Sequence, residues 1–407
     1  MLAEVMLADA VQKSAVAANE EREHVARTKA LFPELSARAA DTIAARKLLA
    51  SNVELAGDAG VFRTIQPRRC GGYEYSLHTH IDVVEEIARG CGSTGWVVGL
   101  MQAHSWLMGL FPQRAQDDVY GTNANARVSA VIAPRGQAQE TDGGYILSGF
   151  WPFCSGCHHS DWLALGEMIV DEDGEPTDSG VMIIPTRQAA IQDDWYVGGL
   201  AGTGSNSVVV KDVFVPAHRF LAIPNAIEGK TPGAHLHATN LYYSAAVPAL
   251  ALFIASPALG MARRALEHFK ERLPGRTVSY TFNEKQIEMP TTHVEIAEAA
   301  TKLDVARTVL HAMVDEIEIY AERRELMPFD RRAKARTDVA FAVRLCLESA
   351  QTLYLASGGS GLAEKSPIHQ AQKDLQAVNM HGLLCLKTNL EMYGRVLLGL
   401  PPNSPVI

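Results

Sequence analysis

The chain has 407 residues, of which 47% are hydrophobic and 20% charged, so it is long enough for two or three folded domains and is not disordered in composition. Its formal net charge of −9 argues against a general nucleic-acid binder, which normally carries a basic surface.

The same composition predicts a cytoplasmic protein that does not enter a membrane. The first 35 residues are alanine-rich and charged, without the basic and then apolar segments of a signal peptide. No uncharged apolar run reaches the roughly 18 residues that a transmembrane helix needs. Six cysteines in so long a chain are typical of reduced thiols rather than of a disulfide framework.

Three regions follow one another along the chain, and together they predict an α+β fold. Residues 1–122 carry apolar positions at three- and four-residue steps, which indicates an N-terminal helical domain. Within it, Thr94–Leu110 is apolar on nearly all sides, so we expect a buried helix. Residues 123–235 contain short β-branched and aromatic runs between turn residues, which indicates a central antiparallel β domain. Residues 236–407 return to helical periodicity and predict an up-and-down four-helix bundle.

The individual elements are predicted from the same periodicities. The strand-like runs are Arg127–Ile132, Tyr145–Phe150, Trp162–Leu165, Gly180–Ile184 and Ser207–Val215. The long C-terminal helices include Met289–Arg323, Arg336–Ala356 and Asp374–Leu398.

One stretch inside the β domain, Gly149–Gly166, is unusually rich in chemically active side chains. Cys154, Cys157 and His158 match the C-x-x-C-H pattern of covalent haem attachment, but no export signal precedes it. A redox dithiol would sit at a helix N-terminus, whereas this pair leads into a strand. Zinc would need a second Cys/His pair at suitable spacing. Two small thiols that line a strand and loop are the simplest interpretation.

Several motifs resemble the acyl-CoA dehydrogenase superfamily over nearly the whole chain. Gly202–Pro216 (GTGSNSVVVKDVFVP) is similar to the end of that family's β domain, and Tyr145–Gly156 to its strand against the flavin ring. Gly358–Gly361, followed by Asp374, resembles its glycine loop and the acidic position before the last helix. The resemblance implies the fold of that superfamily: helical domain, β domain and helical bundle.

Two departures from the dehydrogenases bear on function. Their T-E pair is missing at Ile132–Pro134, and residues 377–382 hold no carboxylate where many of them place the catalytic base. A carboxylate is needed to remove the α-proton of a thioester. An acyl-CoA dehydrogenase with a relocated base nevertheless stays an alternative.

His381 in this region instead resembles the two-component flavin-dependent monooxygenases of the superfamily, which hydroxylate aromatic compounds. In that group two histidines and a serine converge on the C4a–N5 edge of the flavin, and the matching residues here are His104, Ser155 and His381. The resemblance implies O₂ as co-substrate and reduced FAD or FMN from a separate flavin reductase. It also implies a reaction through a C4a-hydroperoxyflavin.

The resemblance further implies a role for each site residue. Ser155 would supply a hydrogen bond near N5, His104 would orient and activate the substrate, and His381 would act on the peroxide. Histidine suits both proton-transfer tasks because its pKa lies near working pH. Arg276 lies where the family often has an arginine that reaches the flavin phosphates of a neighbouring subunit, which implies a homotetramer. The predicted flavin contacts are Ile132, Trp151, Phe153, Ser155, Arg276, Gly358 and Gly359.

We therefore expect a monooxygenase that hydroxylates a small aromatic or heteroaromatic compound, such as a phenol or an indole. Within the same superfamily, oxidation at nitrogen or sulfur is an alternative. A helical scaffold without activity is a third possibility, and it would bind no flavin.

Overall fold

The computed structural model describes residues 2–404 and 406–407, with side chains from residue 16 onward; Met1 and Pro405 lie outside the described residues. The α-helices of the first part of the described chain are α1 (Leu2–Lys29), α2 (Phe32–Ala37), α3 (Ala39–Ala45), α4 (Ala50–Asp58), α5 (Leu77–Gly90), α6 (Gly92–Leu110) and α7 (Gln113–Tyr120). All residues of α6 except Gly92 and Leu100 are buried or nearly so. This confirms the prediction of a buried helix, which a segment that is apolar all round requires.

The central region is one seven-stranded sheet. Its strands are β1 (Val128–Thr141), β2 (Gly144–Trp151), β3 (Trp162–Val170), β4 (Pro176–Pro185), β5 (Ala190–Ile191), β6 (Val208–Pro216) and β7 (Phe220–Ala222). Their order in the sheet is β5-β6-β2-β1-β3-β4-β7. All pairings are antiparallel except that of β1 with β3, which is parallel and differs from the fully antiparallel domain expected.

The parallel pair follows from the path of the chain after β2. Because β2 runs antiparallel to β1, it runs back toward the beginning of β1, and their pairing ends at Gly136 and Gly149. The chain then crosses the end of β1 through residues 152–161 and starts β3 next to Val128, with Trp162 as its partner. We call residues 152–161 the crossover segment. It carries the cysteines, the histidines and Ser155, so the sheet topology places these residues at one end of β1.

A short helix, α8 (Ile223–Ile227), follows β7. The C-terminal region consists of α9 (Ala246–Arg272), α10 (Pro290–Arg323), α11 (Phe329–Ala356), α12 (Pro367–Asn379) and α13 (Leu386–Leu397). By length and composition α9 and α11 are apolar enough to span a membrane. However, 89% of the apolar window of the first and 50% of that of the second are buried within the protein, as in the core helices of a bundle.

The single helix predicted over Asp374–Leu398 is wrong, because the chain leaves the helix after Asn379 and re-enters it at Leu386. The intervening turn is closed by a backbone hydrogen bond from Leu384 N to His381 O at 2.8 Å and by side-chain contacts. Asn389 Nδ2 donates to the carbonyl oxygens of Leu383 and Cys385, at 2.9 and 3.0 Å. The apolar stripe continues across the break, so periodicity alone does not reveal it.

Candidate active site

The crossover segment is fastened to the loop that precedes β6. Cys154 N donates to Asn206 O and Gly156 N donates to Thr203 O, both at 3.1 Å. Phe153 adopts the left-handed region with φ 65°, which is uncommon for a residue with a side chain. Strained backbone of this kind persists where the surroundings impose it, and it is frequent at functional sites. The ring of Phe153 is 68% exposed, so the segment reaches the surface at this residue.

Ser155 is bonded to three other parts of the fold. Its hydroxyl accepts a hydrogen bond from Trp96 Nε1 at 3.1 Å and lies 2.7 Å from Ser205 Oγ. Its carbonyl oxygen accepts a hydrogen bond from Ser129 Oγ at 2.9 Å. Only 5% of the residue is exposed. The hydroxyl is therefore held in place by α6 and by the loop before β6, and the backbone by β1.

His104 lies on α6 two turns after Trp96, about 12 Å along the helix axis. Its Nδ1 is 2.9 Å from Val128 O, and because a carbonyl oxygen only accepts, Nδ1 must carry the proton. Burial lowers the pKa of His104 to about 4. The imidazole is therefore neutral at pH 7, and its Nε2 has a free lone pair.

His381 has the opposite tautomer. Leu383 N donates to its Nδ1 at 3.3 Å, so in the neutral ring Nε2 carries the proton. The ring meets Trp96 edge to face, with centroids 5.9 Å apart, and burial lowers its pKa to about 4. Both histidines thus titrate well below the working range assumed from the sequence, because the protein desolvates them. One ring offers a hydrogen-bond acceptor and the other a donor.

Trp96 joins the predicted catalytic residues, since it donates to Ser155 and contacts His381. From the sequence, it was placed only within the buried helix Thr94–Leu110. The hydroxyls of Thr203 and Ser205 were also missed, although they stand in the quoted GTGS motif. Their oxygens are 2.7 Å apart, and the second reaches Ser155. Two hydroxyl residues on either side of a glycine were the available signal.

The predicted flavin contacts fall in different places. Trp151 is wholly buried in the core of the β domain, where its Nε1 donates to Gly166 O at 2.6 Å. Ile132 is half-buried at the irregular part of β1, between Val131 and Gly136. The exposed ring of Phe153 stands edge-on to Trp195, with centroids 6.0 Å apart. Trp151 therefore supports the strand from behind, while Phe153 offers an accessible face beside Ser155.

Arg276 lies in the C-terminal region against the glycine loop, Gly358–Gly361. Its Nη1 donates to Ser360 Oγ at 2.9 Å and its Nη2 to Ser357 O at 2.8 Å. Arg272 Nη2 donates to the same serine hydroxyl at 3.0 Å. Burial and the neighbouring Arg272 lower the pKa of Arg276 from its very high ordinary value. None of the hydrogen bonds of these residues joins them to Ser155 within the described chain.

The conspicuous cysteines and histidines of the crossover segment make structural contacts. Cys154 and Cys157 are buried, and their mutual hydrogen bond and burial hold the pKa of Cys154 well above its ordinary value. His158 Nε2 lies 3.0 Å from Asn206 Oδ1, and His159 Nε2 lies 2.9 Å from Leu48 O. Across residues 2–404 and 406–407, no three His, Cys, Asp or Glu side chains converge as a metal site. A surface cleft of about 360 Å³ opens at His159, and none of the three predicted catalytic residues lines it.

The donor groups suit a flavin. An isoalloxazine ring needs aromatic and uncharged hydrogen-bonding neighbours, which Trp96, Ser155 and Phe153 provide. Its phosphates need cations and backbone that can approach closely. Arg276 provides the cation. The glycine loop provides the accessible backbone, because the space beside Gly358 and Gly359 is open: a Cβ added at either would meet no atom within 4 Å.

Comparison with known proteins agrees with this arrangement. A family model described as "Acyl-CoA dehydrogenase, C-terminal domain" matches residues 252–385. The oxygenase subunit HsaA of a flavin-dependent monooxygenase from Mycobacterium tuberculosis is 35% identical, covering 93% of this chain and 95% of that protein. The oxygenase component of an FADH(2)-dependent resorcinol hydroxylase from Rhizobium sp. is 34% identical, covering 90% of this chain and 91% of that protein.

Among solved structures, XiaF from Streptomyces sp., determined with FADH2 and glycerol, superposes with a TM-score of 0.91 at 28% identity. The match covers 97% of this chain and all of that one. The identity to HsaA extends over nearly the full length of both proteins and includes all three regions of the fold. The chain therefore belongs to the oxygenase components of the flavin-dependent monooxygenases, which share the acyl-CoA dehydrogenase fold.

Proposed function

We propose that the protein uses reduced flavin and O₂ to hydroxylate a small phenol- or indole-like compound, and that a separate reductase supplies the flavin. The observation that carries this is that His104 and His381 are neutral histidines with opposite tautomers. The ring of His381 contacts Trp96, whose Nε1 donates to Ser155 Oγ. Relatives named as hydroxylases of resorcinol and p-hydroxyphenylacetate and as an indole-3-acetate monooxygenase support an aromatic substrate.

Reduced flavin, FAD or FMN, supplies the electrons that activate O₂. The chain's own residues then have separate tasks. The free lone pair of His104 Nε2 accepts a hydrogen bond from the substrate O–H or N–H, which orients the ring and raises its electron density. The Nε2–H of His381 donates toward the oxygen that is transferred. Trp96 and the buried α6 exclude water, which would otherwise compete for both nitrogens.

Phosphate binding belongs in this proposal to Arg276 and the glycine loop, with Gly358 and Gly359 giving close backbone access. We also propose that the enzyme is a cytoplasmic homotetramer in which this loop serves a neighbouring subunit. Large exposed apolar side chains in the C-terminal region support an oligomer, because exposed apolar surface often marks a contact with another subunit. They include Phe341, Leu355, Leu362, Met380, Leu397 and Leu398.

The test is an anaerobic titration of the protein with reduced FAD and with reduced FMN, followed by mixing with aerated buffer and a panel of phenols and indoles. Hydroxylated product should form, with little hydrogen peroxide released. Light scattering on the same sample gives the subunit number. A protein that binds neither reduced flavin, or that converts no compound of the panel, would refute the function.

Replacing His381 by Ala sharpens this test. Without the Nε2–H donor, product per reduced flavin should fall and hydrogen peroxide should rise by the same amount. His293→Ala is the matched control, because that histidine is bonded to Ile287 O in an exposed part of the C-terminal region. Equal peroxide release from both variants would remove His381 from the reaction.

A further inference from the structure

The hydroxyl of Ser155 ends a chain of hydrogen bonds that runs through the loop before β6. Ser155 Oγ lies 2.7 Å from Ser205 Oγ, which lies 2.7 Å from Thr203 Oγ1. Thr203 Oγ1 in turn lies 2.8 Å from Leu200 O, a carbonyl that only accepts. All three hydroxyl residues are buried. We call Thr203, Ser205 and Ser155 the hydroxyl relay.

Counting protons fixes the direction of this relay. Each hydroxyl has one proton, and three protons are available for three links. Because Leu200 O cannot donate, Thr203 donates to it, so Ser205 donates to Thr203 and Ser155 donates to Ser205. Trp96 Nε1 already occupies one lone pair of Ser155 Oγ. The one hydrogen-bonding position left open on Ser155 is therefore a lone pair, which can only accept.

The far end of the relay is held firmly. Leu200 adopts the left-handed region with φ 53°, and its N–H donates at 2.6 Å to Oδ1 of the buried Asp374. Leu200 O also accepts from Thr203 N at 3.1 Å and from Trp195 Nε1 at 3.3 Å. If every donor in the relay became an acceptor, Leu200 O would keep its hydrogen bonds from Thr203 N and Trp195 Nε1. It would lose only the hydrogen bond from Thr203 Oγ1.

The two redox states of a flavin present different groups at N5. Reduced flavin carries an N–H there, a donor, whereas oxidised flavin has a bare nitrogen, an acceptor. We propose that Thr203 and Ser205 are positioning residues that keep Ser155 a hydrogen-bond acceptor and so make the site prefer reduced over oxidised flavin. This rests on the proposed function and on the family resemblance, which implies that Ser155 faces N5. Ser155 can donate to N5 of oxidised flavin only if the relay reverses. The reversal breaks the hydrogen bond from Thr203 Oγ1 to Leu200 O, so the number of hydrogen bonds does not rise.

The experiment compares two dissociation constants for each variant. Oxidised FAD is titrated by fluorescence quenching and reduced FAD by anaerobic calorimetry. Thr203→Val keeps the shape of the side chain but removes the hydrogen bond from Thr203 Oγ1 to Leu200 O. In this variant Ser205 can donate to Ser155, and Ser155 can donate to oxidised flavin, without breaking another hydrogen bond. The ratio of the oxidised to the reduced dissociation constant should fall by about two- to tenfold, the range for one net hydrogen bond. A tenfold fall equals about 30 mV in the midpoint potential of the bound two-electron flavin.

Thr203→Ser is the conservative control, because it keeps the hydroxyl, and its ratio should equal that of the wild type. Ser205→Ala, which removes the acceptor for Ser155, should lower the ratio as Thr203→Val does, and it serves if the valine variant folds poorly. In a Ser155→Ala background the Thr203→Val change should have no effect, as a double-mutant cycle shows.

Equal ratios for Thr203→Val and Thr203→Ser would overturn the relay and leave the proposed function standing. The relay would also be overturned if Thr203→Val shifted the ratio by the same factor in the Ser155→Ala background as in the wild type. An unchanged ratio in Ser155→Ala alone would overturn both the relay and the contact between Ser155 and N5. A wild-type protein that binds neither form of FAD would refute the proposed function itself.

Discussion

Two regions of the molecule carry the groups that suit a flavin, and they are built in opposite ways. Around Ser155 the polar groups are buried or half-buried and mostly uncharged: an indole, three hydroxyls and two neutral imidazoles. Around Arg276 two guanidinium groups meet one serine of the glycine loop in an exposed setting. The first region fixes where protons lie, whereas the second presents charge.

The difference has an energetic meaning. Hydrogen bonds in a dry, low-dielectric region are strong and directional, so a single misplaced proton there changes the chemistry. Charges near water are screened, and each contributes modestly and in a salt-dependent way. We therefore expect changes around Ser155 to alter turnover and redox preference, and changes around Arg276 to alter flavin affinity alone.

The largest effect should come from His104→Ala. Losing a general base or orienting acceptor costs about 100-fold or more in rate, so hydroxylation should nearly vanish while the affinity for reduced FAD is unchanged. Rapid mixing of the preformed complex with O₂ and substrate measures both quantities. Because the pKa of His104 is about 4, its ionisation should not change the wild-type rate between about pH 6 and pH 8.

His80→Ala is the matched control for that variant. His80 is also fully buried, its Nδ1 bonds to Gln102, and burial lowers its pKa to about 4. Its loss should reduce thermal stability without affecting the rate of the folded enzyme. If the two alanine variants lose activity in parallel with stability, His104 is a core histidine and the contrast between the two regions fails.

Asp374 is the acid that supports the dry region, and replacing it by Asn should show in stability. Burial raises its pKa from 3.8 to about 6, although Leu200 N and Gln370 Nε2 donate to it. Since the folded-state pKa exceeds the unfolded value, its contribution to stability is fully present below about pH 4 and is lost as pH rises through 6. A shift of about two units corresponds to on the order of 3 kcal/mol.

Urea unfolding of the wild type and Asp374→Asn at about pH 4.5 and pH 7.5 measures this. The unfolding free energy of the wild type should fall between about pH 4.5 and pH 7.5, and the variant should lack most of this fall. The amide oxygen of the variant can still accept the hydrogen bond from Leu200 N. Parallel pH curves for the two proteins would mean that Asp374 stays ionised when folded.

The same carboxylate explains the glycine at the start of α6. A Cβ at Gly92 would lie 2.8 Å from Asp374 Oδ2.

Much of this architecture could be predicted, since periodicity identifies long helices and short strands one segment at a time. The break after Asn379 was missed because periodicity does not record the side-chain contacts that close the turn. Leu383 N donates to His381 Nδ1, and Asn389 Nδ2 donates to Leu383 O. The parallel pairing of β1 and β3 was missed because it depends on where the chain crosses.

The site was predictable only in part. His104, Ser155 and His381 were identified through family resemblance, but neither tautomer follows from sequence. Each tautomer is set by one backbone group, Val128 O for His104 and Leu383 N for His381. The relay was invisible for the same reason, because its partners Ser155 and Ser205 are fifty residues apart in the chain.

A smaller effect than that of His104→Ala should come from Arg276→Ala. Removing one charge-assisted contact to phosphate should weaken reduced FAD binding by about tenfold at low salt, and by less at high salt because free ions screen the charge. Titration at two ionic strengths measures this. Arg264→Ala, which breaks an exposed pair with Glu271, controls for net charge and should leave affinity unchanged.

The salt dependence decides what Arg276 does. The guanidinium also holds the glycine loop through Ser357 O and Ser360 Oγ, so its loss could act by releasing that loop. A released loop would weaken binding equally at both ionic strengths, because no screened charge pair is then involved. A tenfold loss that shrinks with salt instead assigns Arg276 to the phosphate. Product per bound flavin should stay at the wild-type value in either case, because the proton positions around Ser155 do not depend on this charge.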